Sequence, residues 1–315
     1  MICRHTTEQM IRHILIMLLV PPAAVCEAQQ KERPSFGMWA WSQSAFTTDA
    51  ARKDMLAFCM REGIRHIDQH VGIKKHGESC RIANAEALRK LISDAAKRNI
   101  SVNALRGERN MFFEANHDRA IRQLATIIKF NRRLPEKAHL AGIKYDVEPY
   151  LTAHWKAGGQ QRKKVIRDYL VFLKKANRLL DEQAPYLELS VDVAFWWDKP
   201  EYTILFGGSN KLFVHHIQDL TDWIAIMSYR REATDVLRLV KAELMYAAQM
   251  DEPASVSCGL NTNEIKGKEH WTTFWGTSAP TFRKTLSKLR QELSENPAVR
   301  HIMLHHYGSL LEYLE

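Results

Sequence analysis

Two carboxyl-bearing residues stand two apart in the segment Gly142-Ile-Lys-Tyr-Asp-Val-Glu-Pro-Tyr150. Side chains alternate along an extended chain, so Lys144, Asp146 and Glu148 share one face and Ile143, Tyr145 and Val147 the other. Apolar Ile143 and Val147 belong in the layer between strands and helices, which turns the three charged residues inward. Buried charges are costly unless they pair, so Lys144 is expected within reach of Asp146, Asp68 or Asp192. A carboxyl kept protonated by its surroundings can hand a proton to a leaving oxygen, while a second one steers or balances charge. Glu148 is the candidate acid, and Asp146 is one of the candidates for the second group. The competing expectation is a structural Lys144–Asp146 ion pair, with Glu148 merely exposed on a loop.

The elements that must position these groups alternate in period along the chain. Period-two segments fall at residues 35–41, 64–68, 100–105, 140–147, 187–195, 223–227, 255–260 and 301–305. Helical spacing falls between them, at 49–62, 85–97, 117–130, 161–182, 212–220, 235–250 and 281–293. Eight such units without a linker rich in Pro, Gly or Ser predict one (β/α)8 barrel over residues 35–315. A doubly wound open sheet is the alternative. It lacks support, because no GxGxxG follows the first strand and Gly207-Gly208 lies in the wrong context for a phosphate cradle.

In such a barrel the C-terminal strand ends carry the chemistry. Strand one offers Trp39 and Trp41, strand two Asp68 and His70, and strand five Asp192 and Trp196. Strand six ends in Tyr229 and Arg230, strand seven in Asn261, and strand eight in His305, His306 and Tyr307. Carboxylates, amides and indoles at one rim suit a polyhydroxylated ligand. Sugar rings present apolar faces that stack on indole, and hydroxyls that need charged or amide partners. Trp39, Trp196, Tyr229 and Tyr307 are therefore expected to line one pocket with Glu148.

With these residues in view, the chain resembles the chitinase-like glycoside hydrolases of family 18. The resemblance rests on Asp146-x-Glu148 closing strand four and Met227-Ser-Tyr229 closing strand six. It implies a (β/α)8 barrel in which Glu148 is the general acid, Asp146 orients a substrate acetamido group and Tyr229 helps hold that group. The family's two earlier aspartates are Ala141 and Lys144 here, and Arg230 follows Tyr229 where the family has Asp. The group working on the far face of the sugar ring stays open between Asp146, Asp192 and the substrate's own acetamido oxygen.

Two other functions compete with a glycosidase acting on an oligo- or polysaccharide, amino sugars included. Lys144 and Arg230, standing where acids are expected, favour a carbohydrate-binding barrel without catalysis. Asp68, His70, Asp192, His305 and His306 have the donor types of a metal-dependent hydrolase, though with no HxH on strand one. Neither a cofactor nor a metal is expected.

The first residues read as an export signal. A polar stretch with Arg4 and Arg12 precedes the apolar run Ile14–Val20, Pro21-Pro22 and a small-residue region ending at Ala28. The run is far short of the ~20 residues that span a membrane. Cleavage after Ala28 predicts a secreted or periplasmic protein; a lipid anchor on Cys26 is disfavoured by Val25 before it. Of 315 residues, 45% are hydrophobic and 26% charged, which excludes a disordered or fibrous chain. The formal net charge of +9 is spread without a like-charge run, which argues against a nucleic-acid groove and leaves an acidic polymer open as a partner. Cys59, Cys80 and Cys258 remain after cleavage, an odd number from which one disulfide could form, without indicating which pair.

Overall fold

A computed structural model describes residues 34–77, 79–250, 255–267 and 269–315; the expected leader and Cys26 lie outside them. The period-two segments become β1 (Ser35–Ala40), β2 (Ile64–His70), β3 (Ser101–Arg106), β4 (Gly142–Tyr145), β5 (Glu188–Val193), β6 (Trp223–Ile226), β7 (Ser255–Asn261) and β8 (Val299–His305). Every neighbouring pair is parallel, and β1 closes the barrel against β8 with Gly37 opposite Met303.

One main helix follows each strand. These are α1 (Asp49–Glu62), α2 (Ala85–Ala96), α3 (His117–Asn131), α4 (Gly159–Gln183), α5 (Phe213–Gln218), α6 (Ala233–Ala247), α7 (Ala279–Glu292) and α8 (Tyr307–Leu314). The first starts where the Thr48 hydroxyl accepts a hydrogen bond from the Ala51 amide, satisfying a donor the helix itself leaves free. Outward-facing residues such as Ile67, Ile143, Val191 and Ile224 are buried in the layer between barrel and helices. Tyr145 of β4 meets Phe172 of α4 there, ring centroids 5.0 Å apart. A smaller apolar cluster of Trp39, Leu105, Trp223, Ala225 and Met303 fills the interior. No helix among the described residues is long and apolar enough to cross a membrane.

Three features depart from the sequence expectation. An antiparallel hairpin, Ile73–His76 with Ser79–Ile82, interrupts the connection after β2. A second, Thr203–Phe206 with Ser209–Leu212, interrupts that after β5, and Gly207-Gly208 supplies the two positive φ angles its tight turn needs. The helix expected from residue 212 therefore begins one residue later. Finally, β4 ends at Tyr145, so Asp146 and Glu148 stand on the loop just beyond it, where the Asp146 amide still bonds the Arg106 carbonyl at 2.8 Å.

Candidate active site

Alternation on β4 puts Lys144 on the barrel axis with no exposed surface. Its ammonium lies 3.0 Å from Asp192 Oδ1 on β5 and 3.8 Å from Asp68 Oδ2 on β2, over the Trp223 ring at 3.7 Å. Trp39 Nε1–H donates to the other oxygen of Asp192 at 3.0 Å. His66 Nε2 sits 3.0 Å from Asp68 Oδ1, and its Nδ1 lies 2.8 Å from the Ser101 hydroxyl. One buried ammonium is thus shared by two carboxyls. Burial pushes Asp68 up, but the charges of Lys144 and His66 outweigh it and hold the carboxyl below its ordinary value. At Asp192 burial wins over Lys144, and its pKa is pushed up to about 7.

Above this column the barrel mouth opens into a cavity of about 500 Å³. Asp146 and Glu148 supply its carboxyls, and Trp41, Tyr229 and His305 its rings; Arg109, Gly107, Leu151 and Met227 complete the lining. Asp146 Oδ1 is buried without a hydrogen-bond partner among the described residues. Burial, reinforced by the charges of Asp192 and Glu148, holds its carboxyl well above the ordinary range against the pull of Lys144. Burial also raises Glu148, with Arg109 opposing. The Tyr229 phenol is pushed well above its usual value by burial and by Asp146, Asp192 and Glu148, so it stays a donor. Burial and the neighbouring His306 drive His305 down to about 3, leaving a neutral ring at pH 7. The site can therefore present two protonatable carboxyls and a phenol to one ligand.

Two supports hold the mouth in shape. A Cβ on Gly107 would lie 2.8 Å from the Asp146 carbonyl oxygen and 3.2 Å from the Trp41 ring. Gly107→Ala is accordingly expected to displace the Asp146 backbone and destabilise the fold by about 1–3 kcal/mol, read as a lowered denaturation midpoint. The Tyr150 hydroxyl donates a hydrogen bond to Glu148 Oε1. Such a bond favours the ionised carboxylate. Tyr150→Phe should raise the Glu148 pKa further and move the alkaline limb of any acid-catalysed pH–rate profile to higher pH; a limb that stays put would show the bond to be without consequence.

The structure distributes the expected site residues over three levels. Asp146, Glu148, Trp41, Tyr229 and His305 meet at the cavity. Asp68 and Asp192 lie in the ion column beneath it, joined by Trp39, which is barrel interior and 1% exposed. Asn261 supports the mouth from the side, its Oδ1 3.2 Å from His305 Nδ1. Trp196 packs on Tyr150 at 5.1 Å, behind Glu148, and Arg230 lies over Phe195 at 4.9 Å. Tyr307 is not part of the cavity. As the first residue of α8 it turns onto α1, edge-on to Phe58 at 5.6 Å.

Sequence reasoning missed Arg109, Gly107 and Leu151 at the cavity, Tyr150 behind Glu148, and His66 below. The strand-end rule had a place for Arg109, three residues past the end of β3, a strand from which no polar end residue was drawn. Among the described residues no three His, Cys, Asp or Glu side chains are grouped to hold a metal ion. His70 instead packs on Trp41 at 5.9 Å, and the His306 side chain accepts from the Gly308 amide at the start of α8. Cys59, Cys80 and Cys258 are all free thiols.

The fold and the position of the site define a (β/α)8 barrel with its candidate chemistry at the C-terminal strand ends. No protein-family model matches the chain, and no curated protein matches it in sequence. Solved structures of chitinases and other glycoside hydrolases share its fold. The C-terminal domain of a putative chitinase from Desulfitobacterium hafniense aligns with a TM-score of 0.51 and 10% identity, over 73% of this chain and 67% of that one. A calcium-binding mutant of Bacteroides uniformis beta-glucuronidase 2 aligns at 0.58 and 13%, over 87% of this chain and 30% of the other. An exo-beta-1,4-mannosidase from Opitutaceae bacterium strain TAV5 aligns at 0.55 and 12%, over 86% and 51%. At these identities the likeness is one of fold.

Proposed function

We propose that this chain is an exported glycoside hydrolase that cleaves beside an N-acetylated amino sugar, with Glu148 as general acid. The observation that carries the reading is the pair of carboxyls at the cavity, Asp146 and Glu148, both raised toward their neutral forms. A protonated Glu148 can give its proton to the glycosidic oxygen as the C1–O bond breaks and the electron pair leaves on that oxygen. Among the described residues no other carboxyl lines the cavity, and Asp192 lies beneath it, engaged by Lys144 and Trp39. Asp146, held toward its neutral form, is a poor nucleophile, so that role is assigned to the substrate's acetamido oxygen, which closes on C1. Asp146, with a free buried oxygen, and the Tyr229 hydroxyl orient that group. Water then opens the cyclic intermediate, giving its proton to the Glu148 carboxylate and restoring the acid.

Hydrolysis of N-acetylated oligosaccharides, compared with the same oligosaccharides after de-N-acetylation, tests the reading. Cleavage should require the acetamido group; equal cleavage of both would assign the nucleophile elsewhere, and cleavage of neither would leave a binding barrel. Export is supported by the order of residues 1–28 and tested by the N-terminal sequence of the protein recovered outside the cytoplasm, expected to begin at Gln29.

A further inference from the structure

The cavity that holds these two carboxyls also holds a guanidinium that is in no ion pair among the described residues, although its charge is felt at Glu148. Arg109 is exposed, lines the cavity and spends one nitrogen on the Leu151 carbonyl at 2.9 Å. Arg230 is half-buried and outside the cavity lining, next in the chain to the lining residue Tyr229. It bonds the Tyr229 carbonyl at 2.7 Å and lies over Phe195, whose ring meets Trp196, which in turn meets Tyr150 beside Glu148. Neither arginine forms an ion pair among the described residues. This sets them apart from Arg106 and Arg119, both of which pair with Glu108 on the loop after β3. Backbone anchoring fixes where these guanidiniums sit while leaving their remaining N–H groups free. A planar fork of that kind matches an oxyanion and does little for a neutral hydroxyl. The chain's net charge of +9 adds a favourable long-range field for such a ligand.

We propose that Arg109 in the cavity, with Arg230 just beyond Tyr229, forms an anion subsite, and that the glycan taken by this cavity carries negatively charged sugar units, carboxylated or sulfated. The proposal rests on the cavity being a sugar site and not on turnover, so binding is the measurement. The Glu148→Gln protein is titrated with a hyaluronan oligosaccharide, which alternates uronate and N-acetylhexosamine, and with a neutral chitin oligosaccharide of equal length. The hyaluronan fragment should bind at least about tenfold more tightly, with the difference shrinking as salt is added. Arg109→Gln with Arg230→Gln should erase the difference, and Arg109→Lys, which keeps the charge without the fork, should retain part of it. Unsulfated chondroitin and a carboxyl-reduced, sulfated chondroitin then separate the two sources of charge: preference for either supports the subsite and names its anion. Equal or weaker binding of every anionic glycan, or binding of none by protein with a native circular-dichroism spectrum, overturns it. Anion-selective binding with no hydrolysis by the wild type would keep the subsite and remove the catalytic reading. Hydrolysis of neutral glycans without anionic preference would do the reverse.

Discussion

Glu148→Gln should lower the hydrolytic rate by about 10²–10⁴-fold while leaving glycan binding within a few fold. The amide keeps the shape of the carboxyl and can still accept the Tyr150 hydroxyl, but it has no proton to deliver. The pH dependence sharpens the test. Burial raises the Glu148 pKa, with Arg109 pulling the other way, and only the protonated form is the acid. Wild-type kcat/KM should therefore fall as pH rises through that raised pKa, and the residual activity of Glu148→Gln should lack this alkaline limb. Asp146→Asn should also slow the reaction, chiefly in kcat, because its work is orientation beside the reacting group. A barrel that only binds sugar gives another pattern: no turnover to lose, and weakened affinity mainly from Trp41→Ala. Undiminished turnover in Glu148→Gln removes the residue from the chemistry whatever the substrate proves to be.

The barrel and its axis were legible because the signal is local. Ile143 and Tyr145 are apolar on one face of β4 and Lys144 is charged on the other, and a two-residue period leaves no third direction. The same logic placed Asp68 and Asp192 on the inside of their strands, within reach of Lys144. What was not legible depends on contacts far apart in sequence. The hairpin Ile73–His76 with Ser79–Ile82 has two lysines and no clear alternation, so nothing in it announces pairing. Trp39 and Trp41 alternate onto one face in the sequence, yet β1 ends at Ala40: Trp39 is drawn inside by Asp192 and Trp41, just past the strand, stays at the mouth over Gly107. Tyr307 leaves the rim because α8 starts with it and α1 offers Phe58. Loop residues such as Arg109 point where a distant backbone carbonyl holds them, here that of Leu151, and no periodicity reports that.

Lys144→Met should be the most damaging single change to stability, about 3–5 kcal/mol. The side chain is wholly buried, and without its ammonium Asp192 and Asp68 keep a shared buried site with no cation between them. At about 2–4 °C per kcal/mol for a domain of this size, the thermal midpoint should drop by roughly 10 °C. A void is not the main cause, since methionine fills most of the volume; Lys144→Met with Asp192→Asn should recover much of the loss by removing the charge left behind. The pH dependence follows from the same groups. Asp192 has a folded pKa of about 7 against an ordinary 3.8, so its contribution to stability is fully present below 3.8 and is lost as pH rises through about 7. Lys144 is the group that holds that value down. Without it both carboxyls move up, and the variant should lose stability over a range extending to higher pH than in the wild type, a difference the double variant should reduce to the part owed to Asp68. Thermal midpoints of the three proteins across that range decide the matter: a Lys144→Met protein as stable as wild type at pH 7 would mean that the column needs no cation, and that the pull of Lys144 on Asp146 just above it is equally dispensable.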